Sequence, residues 1–430
     1  MQHRGDDTIA ALSSGQPPAG VAVIRTSGPA AFATAKALAG ALPPPRRAVL
    51  RPLRDPRNGE RLDQALLLRF DGPASATGED IVEYQCHGGR AVVRSILEAV
   101  LSQPGMRAAQ PGEFTRRAFA NGRIDLTEAE GLADLLTAET ERQRRAALMR
   151  AEGGVRSLVD GWRARILILS ARAEAAIDYV DDEEETGADV SALAREAAML
   201  AAEFGEWLAR PRAEPLKNGI RVVAVGPPNA GKSSLINALS QSDRAIVTDV
   251  AGTTRDVIEV PIAIGGIPFV LVDTAGLREG GDRVEQIGIE RAHAEAIRAD
   301  ILLWLGDPAD VPAHPHVVQI HPRADQPGRG SAPEGSMPVS VVDGTGLREL
   351  ADELAKRASN IFPGEDQLSL NHRQAVEIEL AYDALQRTET DLVILADGLR
   401  RAREAIDRIT GRAGIDDMLD ALFGQFCLGK

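Results

Sequence analysis

Gly226-Pro227-Pro228-Asn229-Ala230-Gly231-Lys232-Ser233 fits the spacing G-x-x-x-x-G-K-[ST]. An apolar run, Val222 to Val225, leads in as a strand, and Ser234 to Leu239 leads out as a helix. The two glycines let successive backbone N–H groups turn toward nucleotide phosphates. Lys232 then reaches the β- and γ-phosphates, and the Ser233 hydroxyl is placed to ligate magnesium. A glycine turn with only a structural role is the alternative, and the strand and helix on either side argue against it.

Working outward, Phe269 to Val272 reads as a second apolar strand, ending in Asp273-Thr274-Ala275-Gly276. A carboxylate at that strand end can hold the magnesium shell, and Gly276 can offer its N–H to a γ-phosphate. Between the two strands lies Gly252-Thr253-Thr254-Arg255-Asp256, where a threonine hydroxyl can complete the metal shell and sense the γ-phosphate. Each piece alone is an ordinary turn. All three, in this order and at strand ends, indicate nucleoside triphosphate chemistry.

The chain has 430 residues, enough for two to four domains. Its apolar content of 44% and charged content of 26% are those of an ordinary globular protein. A formal charge of -14 argues against nonspecific coating of nucleic acid, which needs many cations to displace counterions. RNA contact is therefore expected to be local or made by a partner. The two cysteines, Cys86 and Cys427, exclude a disulfide framework and suit a reducing compartment. No apolar run reaches the ~18 residues of a membrane span, and no secretory leader pattern opens the chain. A cytoplasmic location without membrane association is expected.

Residues 1–119 alternate short β-rich runs with helical ones, giving an α+β domain: Val21 to Arg25, Ala30 to Leu38, Gln64 to Phe70, Asp80 to Gln85 and Ala91 to Leu101. Residues 120–214 turn helical, with Val155, Leu158, Val159, Trp162, Ile166 and Leu169 on one face, until the prolines between Pro211 and Pro215. An α/β nucleotide module follows at 215–362, where Asp307 to Pro338 reads as loops around one strand, Val317 to Ile320. Residues 363–430 return to helix, with seams at Leu392, Leu395, Leu399, Ala402, Ile406 and Ile409, and again at Ile415, Met418, Leu419, Leu422, Phe423 and Phe426. Two one-faced helical stretches most simply bury their seams against each other, which makes the module an insertion in a helical domain. The acidic run Asp181 to Glu185 is read as a solvated turn in preference to a metal site.

At the nucleotide motifs the chain resembles bacterial translation-factor-like GTPases, and more closely the tRNA-modification GTPases of the MnmE (TrmE) family. The resemblance rests on Thr248-Asp249 through Asp256, on Asp273-Thr274-Ala275-Gly276-Leu277-Arg278-Glu279, and on motifs outside the module. Those are Glu79-Asp80, Cys86-His87-Gly88-Gly89, Pro111-Gly112-Glu113-Phe114 and Phe426-Cys427-Leu428-Gly429-Lys430. It implies a multidomain α+β and α/β protein: an N-terminal folate-binding domain that dimerises, a helical bundle, and an inserted P-loop, Ras-like GTPase domain. It further implies a homodimer acting with a flavin-dependent, MnmG/GidA-like partner in a hetero-oligomer. Together they build a carboxymethylaminomethyl-type group at C5 of the wobble uridine of certain tRNAs. The cofactors implied are GTP/GDP, Mg2+, K+ and a tetrahydrofolate derivative, 5-formyl or 5,10-methylene.

Carried over by resemblance, the nucleotide contacts are Asn229, Ala230, Gly231, Lys232, Ser233 and Ser234, then Thr248, Asp249, Val250, Ala251, Gly252, Thr253 and Thr254. Asp273, Thr274, Ala275, Gly276, Asp325 and Ser340 complete the set. Ser233 and Thr254 are the implied magnesium ligands, and Asn229, Thr248, Val250 and Thr253 the implied potassium ligands. A monovalent cation there supplies charge that an arginine finger supplies elsewhere. Without the resemblance, Asn229 reads as a loop residue. Glu285 matches the family's water-orienting glutamate, its alternative being a carboxylate favoured by a helix first turn.

One departure stands out. Where the family carries Asn-Lys-x-Asp for the guanine base, this chain has Pro322-Arg323-Ala324-Asp325, and the next base loop reads Ser340-Val341-Val342. Losing the amide removes a base contact, so GTP is expected to be preferred but held weakly. In the flanking domains Arg25, Glu83, Arg123 and Lys430 match folate-contacting positions, a carboxylate suiting the pterin edge and cations the glutamate tail. Taken singly, each reads as a surface ion-pair residue. Cys427 matches a terminal cysteine that lines a one-carbon site, or is a small buried apolar residue. Cys86-His87 lacks the third ligand that zinc needs. Arg142, Arg144, Arg145 and Arg150 form a basic cluster that either meets tRNA phosphates or, beside Glu139 and Glu141, is a solvated helix face. Two other functions stay open at this point: a dimeric GTP-controlled switch without its own folate chemistry, and an ATPase.

Overall fold

The computed structural model describes residues 7–178, 190–241, 245–247, 258–273, 294–329, 331–362, 364, 367–386, 391–413, 422–423, 426 and 429. The chain forms two compact units, one of residues 1–133 with 407–430 and one of residues 134–406.

The first unit is built on a six-stranded sheet: Thr8–Leu12 (β1), Ala19–Ser27 (β2), Val49–Arg54 (β3), Arg61–Phe70 (β4), Ile81–Gly88 (β5) and Met106–Ala108 (β6). Its order is β3-β4-β5-β2-β1-β6, antiparallel except for β1 with β6. Ala31–Ala39 (α1) and Arg90–Leu101 (α2) supply Leu38 and Ile96 to a core with Ile24, Leu53, Leu67, Val82 and Tyr84. Short β-rich runs bounded by turn residues made β2, β4 and β5 legible. β1 is buried along its whole length, and a strand buried on both faces shows no alternation for a sequence to display.

Glu113–Ala120 (α3) lays Phe114 against Ile9 and Ala11 of β1. Leu126–Thr137 (α4) brings Ala129 to Phe423 and Phe426. The chain's return is admitted by Gly112, at φ 69, since a Cβ there would fall 2.1 Å from the Phe423 carbonyl oxygen. Of the final seam, 415–419 lie outside the described residues, while Phe423 and Phe426 are buried.

In the second unit Glu141–Ala151 (α5), Gly154–Asp178 (α6) and Val190–Leu208 (α7) precede the module. The face of α6 read from the sequence is buried at Val155, Val159, Trp162, Ile166 and Leu169, with Leu158 at its margin. Trp162 meets Phe204 and Trp207 of α7 edge-on, at centroid distances of 5.1 and 5.8 Å. Its indole N–H donates to Glu203 at 2.7 Å, so the polar edge of a buried ring is satisfied. Asp181 to Glu185 lie outside the described residues. The prolines before the module do not simply end helix: Pro215 opens a short one, Glu214–Asn218 (α8), at the first-turn position where a missing N–H costs nothing.

The module is a seven-stranded sheet made of Ile220–Val225 (β7), Ala245–Val247 (β8), Ile258–Ile264 (β9), Ile267–Asp273 (β10), Ile301–Trp304 (β11), Val317–Pro322 (β12) and Met337–Val339 (β13). The order is β13-β12-β11-β7-β10-β9-β8, with β13 through β10 parallel and β9 and β8 antiparallel to their neighbours. Lys232–Ser240 (α9) and Leu347–Ile361 (α10) cover one face through Leu235, Ile236, Leu350 and Leu354. β9 and β10 form a hairpin that turns at Gly265 and Gly266, φ 60 and 78. The stretch from 307 to 338 carries β13 in addition to the strand expected at 317.

After the module come His372–Gln386 (α11) and Leu392–Thr410 (α12). α11 packs on α7, with Tyr382 against Gly205, so the helical stretches on either side of the module share a core. Leu395, Leu399, Ala402, Ile406 and Ile409 of α12 are buried, as its three-and-four spacing implied. Among the described residues no helix is long and apolar enough to cross a membrane.

Candidate functional site

β7 has β10 on one side and β11 on the other, while the chain visits β10 first and β11 next. A parallel sheet opens a crevice beyond the carboxyl end of a strand where the winding reverses in this way. The loop 226–231 occupies that end. Close packing fixes its first glycine: a Cβ on Gly226 would lie 3.1 Å from the Leu305 carbonyl carbon. Gly231, at φ 96, caps α9, whose first turn carries no acidic residue, so the helix presents an undiluted positive end.

Lys232 is 5% exposed, and its ammonium donates to the carbonyls of Gly226 at 3.1 Å and Pro227 at 2.9 Å. The Ala230 N–H reaches the same Pro227 oxygen at 3.3 Å, so the loop is closed on itself. Ser233 follows in the first helical turn, half-buried, and Ser234 is exposed. Asp273 ends β10 in register with Ala224, two residues short of the loop, and is 5% exposed. A buried lysine, a first-turn serine hydroxyl and a buried carboxylate at neighbouring strand ends fit a triphosphate with a divalent cation. Asn229 is exposed and holds φ 58, a left-handed conformation that asparagine tolerates better than most residues.

The two loops expected to read the base lie at the ends of β12 and β13. Pro322, in place of an amide side chain, is the last residue of β12 and pairs with Val339. Arg323 holds φ 60 and donates from Nη2 to the Asn229 carbonyl at 2.7 Å. Asp325 is exposed. Ser340 is fully buried, and its hydroxyl accepts the N–H groups of Val342 and Asp343 at 3.2 and 3.4 Å, holding its own turn together. Thr248 to Thr254, Thr274 to Gly276 and Glu285 lie outside the described residues.

In the first unit Arg25 and Glu83 are direct cross-strand partners on β2 and β5, and Arg25 donates to Glu83 Oε1 through Nε at 3.0 Å and Nη2 at 2.8 Å. The guanidinium also lies 5.8 Å from the Phe114 ring centroid. Arg123 is exposed just beyond α3, its N–H on the Ala118 carbonyl. Cys427 and Lys430 lie outside the described residues, but Gly429 accepts from the Ser13 hydroxyl at 2.7 Å. A Cβ on Gly429 would fall 2.1 Å from the Leu12 oxygen, so Gly429 sits against the end of β1, whose Ala11 pairs with Arg25.

A buried charge network was not visible in the sequence. Arg117, 4% exposed, donates to both oxygens of Glu79, to Asp7 and to the Ser27 carbonyl. Glu113 bonds Arg107 on the same network. Burial alone would raise the Glu113 carboxyl; the Arg107 hydrogen bond, the Gln110 N–H and two guanidinium charges outweigh it and hold the group below its usual value of 4.5. Nothing in the sequence marks the Arg117–Glu79 pair, whose members stand 38 positions apart; for Glu113 the available signal was Arg117 one helical turn on.

The basic cluster divides. Arg144 and Arg145 pair with Glu141 at 2.8 and 2.9 Å, and Arg142 lies 5.5 Å from the Phe362 ring centroid. Arg150 departs from the expected surface cluster: it is 5% exposed and bonds Asp134 at 2.7 Å, a core ion pair that cannot face a phosphate. A cavity of about 320 Å³ lies between α5, the β9–β10 turn and the segment from Phe362 to Ser369. Cys86 is buried, which pushes its thiol up to about 11 with help from the nearby Asp63 charge, and His87 bonds Asp63 at 2.8 Å. Among the described residues no group of three or more His, Cys, Asp or Glu could hold a metal.

Residues 8–123 match the family described as GTP-binding protein TrmE N-terminus, and residues 126–427 match the MnmE helical domain. The chain is 50% identical over 435 residues to the tRNA modification GTPase MnmE of Novosphingobium aromaticivorans, covering 99% of this chain and 100% of that one. It is 52% identical over 427 residues to the protein of the same name from Erythrobacter litoralis, covering 99% and 100%. Among solved structures it is similar to the G domain of the T. maritima FeoB iron transporter, at 22% identity and a TM-score of 0.24, covering 32% of this chain and 98% of that one. Half the residues are shared along the entire length of relatives whose domains match on both sides of the nucleotide module, and this chain belongs to the MnmE (TrmE) family of tRNA-modification GTPases.

Proposed function

We propose that this chain is a GTP hydrolase that takes part in tRNA modification, its nucleotide held on the 226–233 loop. The observation that carries the reading is Lys232, buried on the loop carbonyls beside Asp273 at the reversal of the sheet, in a chain of this family. Lys232 meets the β- and γ-phosphates, Ser233 and Thr254 are the magnesium ligands, and Asn229, Thr248, Val250 and Thr253 the potassium ligands. When bound, the two cations neutralise charge that develops between the β- and γ-phosphates. Glu285 orients the attacking water, and Asp325 accepts from the guanine edge.

In its finer form the proposal includes a homodimer that works with a flavin-dependent partner in the cytoplasm. Together they install a carboxymethylaminomethyl-type group at the wobble uridine, drawing one carbon from a folate held by Arg25, Glu83, Arg123 and Lys430, with Cys427 near the carbon. Domain limits are set at 1–119, 120–214, 215–362 and 363–430. GTP hydrolysis measured in potassium and in sodium tests the cation reading: faster turnover in potassium is expected, and equal rates would overturn it. Loss of the modified uridine in a strain whose only copy carries Lys232→Ala tests the tRNA reading, and an unchanged uridine would defeat it.

A further inference from the structure

Among the described residues three other than glycine hold positive φ: Arg46, Asn229 and Arg323. Two of the three are joined by one hydrogen bond, Arg323 Nη2 to the Asn229 carbonyl at 2.7 Å, across 94 positions of sequence. A left-handed conformation is unfavourable for a long side chain such as arginine and persists only where its surroundings hold it. At Arg323 they do. Pro322 is tied into the β12–β13 ladder, the Ala324 N–H donates to the Val339 carbonyl at 3.2 Å, and the Arg323 carbonyl accepts from Gln326 at 3.1 Å.

The peptide group between Asn229 and Ala230 is thereby held from both sides. Its carbonyl accepts from Arg323, and its N–H donates to the Pro227 oxygen at 3.3 Å, the oxygen that also receives the Lys232 ammonium. Fixing that plane fixes the backbone from which the Asn229 side chain projects. A guanidinium suits the task because it is planar, stays charged and can spend one N–H here while keeping others free.

We propose that Arg323 is a positioning residue that sets Asn229 for monovalent-cation binding, so that the loop reading the base also tunes the cation site. This rests on the reading of Asn229 as a potassium ligand. The consequence differs from that of a base contact: losing Arg323 should raise the potassium concentration needed for activity more than it raises the GTP concentration needed.

The test titrates GTP hydrolysis of the full chain with KCl, choline chloride holding ionic strength constant, and measures the KM for GTP at saturating potassium; without turnover, it follows the KCl dependence of the melting temperature with a non-hydrolysable GTP analogue bound, whose midpoint should shift by the same factor in Arg323→Ala. Arg323→Ala is expected to raise the half-stimulating potassium concentration at least fivefold while KM moves less than threefold. Arg323→Lys, which keeps a cationic donor, should recover part of the shift. Combined with Asn229→Ala, which removes the side chain but keeps the carbonyl, Arg323→Ala should add no further shift. A wild-type potassium curve in Arg323→Ala, or a rise confined to KM, overturns the proposal while leaving the cation reading standing. A wild-type enzyme indifferent to potassium overturns the cation reading itself, and the proposal with it.

Discussion

Arg25 and Glu83 face each other across β2 and β5, guanidinium to carboxylate at 2.8 Å, with side chains 27% and 16% exposed. Removing one partner of a pair this far from solvent leaves the other charge uncompensated, so Glu83→Ala should lower the melting temperature whatever else the pair does. A folate-holding role adds a second effect: the same variant, still folded, should bind a tetrahydrofolate derivative at least about tenfold more weakly. Calorimetric titration decides it, and an unchanged affinity removes Glu83 from that site.

Lys232→Ala should lower GTP hydrolysis by about 10²–10³-fold, the range for removing one group that meets developing charge. The fold should survive, because the carbonyls that the ammonium bonds belong to the loop and not to the strands or helices of the core. Single-turnover hydrolysis alongside circular dichroism separates loss of chemistry from loss of structure.

Base selectivity follows from Pro322. GDP should bind more tightly than ADP through Asp325, and Pro322→Asn, restoring an amide at the end of β12, should widen the gap. Equal calorimetric affinities for GDP and ADP in the wild-type protein would refute the guanine preference.

Acid should loosen the first unit. Asp7 and Glu113 are both held below their usual values: at each, burial acts upward and is outweighed, chiefly by the Arg107 hydrogen bond. A depressed folded value means the contribution is complete above the unfolded value, 4.5 for the glutamate, and is lost as pH falls through the folded one. Glu113→Gln should lower the melting temperature at pH 7, and the two proteins should converge as the pH drops below that window. Parallel curves down to pH 3 would show that the network is not the acid-sensitive element.

Trp162→Ala should cost about 3–5 kcal/mol in urea unfolding of the second unit, as expected for deleting a buried ring. Trp162→Phe keeps most of the packing but leaves Glu203 without its indole donor, a loss of about 1–3 kcal/mol. If Trp162→Phe costs nothing, the hydrogen bond to Glu203 contributes nothing.

How much of this was legible depends on whether a residue's role is local. The phosphate loop, its strand and its helix were readable because spacing alone imposes them, and the seams of α6 and α12 were readable because their period is 3.6. β1 and β13 were not: one is buried on both faces and the other is three residues long. Nor was the fate of Arg150, since its partner Asp134 belongs to another helix and only folding brings them together. The tie between Arg323 and Asn229 escaped for the same reason, joining two loops at the ends of different strands.

The β9–β10 hairpin also has a mechanical side. Each strand is seven residues, roughly 24 Å of ladder, and the pair is stiff along its length because every residue of one strand is matched by one of the other. Its open end continues in sequence into the threonine-rich stretch before Ile258 and the Thr274-Ala275-Gly276 stretch after Asp273, while its closed end, Gly265 and Gly266, walls a cavity against α5. A ribbon of that kind would act like a pushrod, carrying a displacement imposed at its open end toward the two glycines and the α5 and Phe362 walls of the cavity.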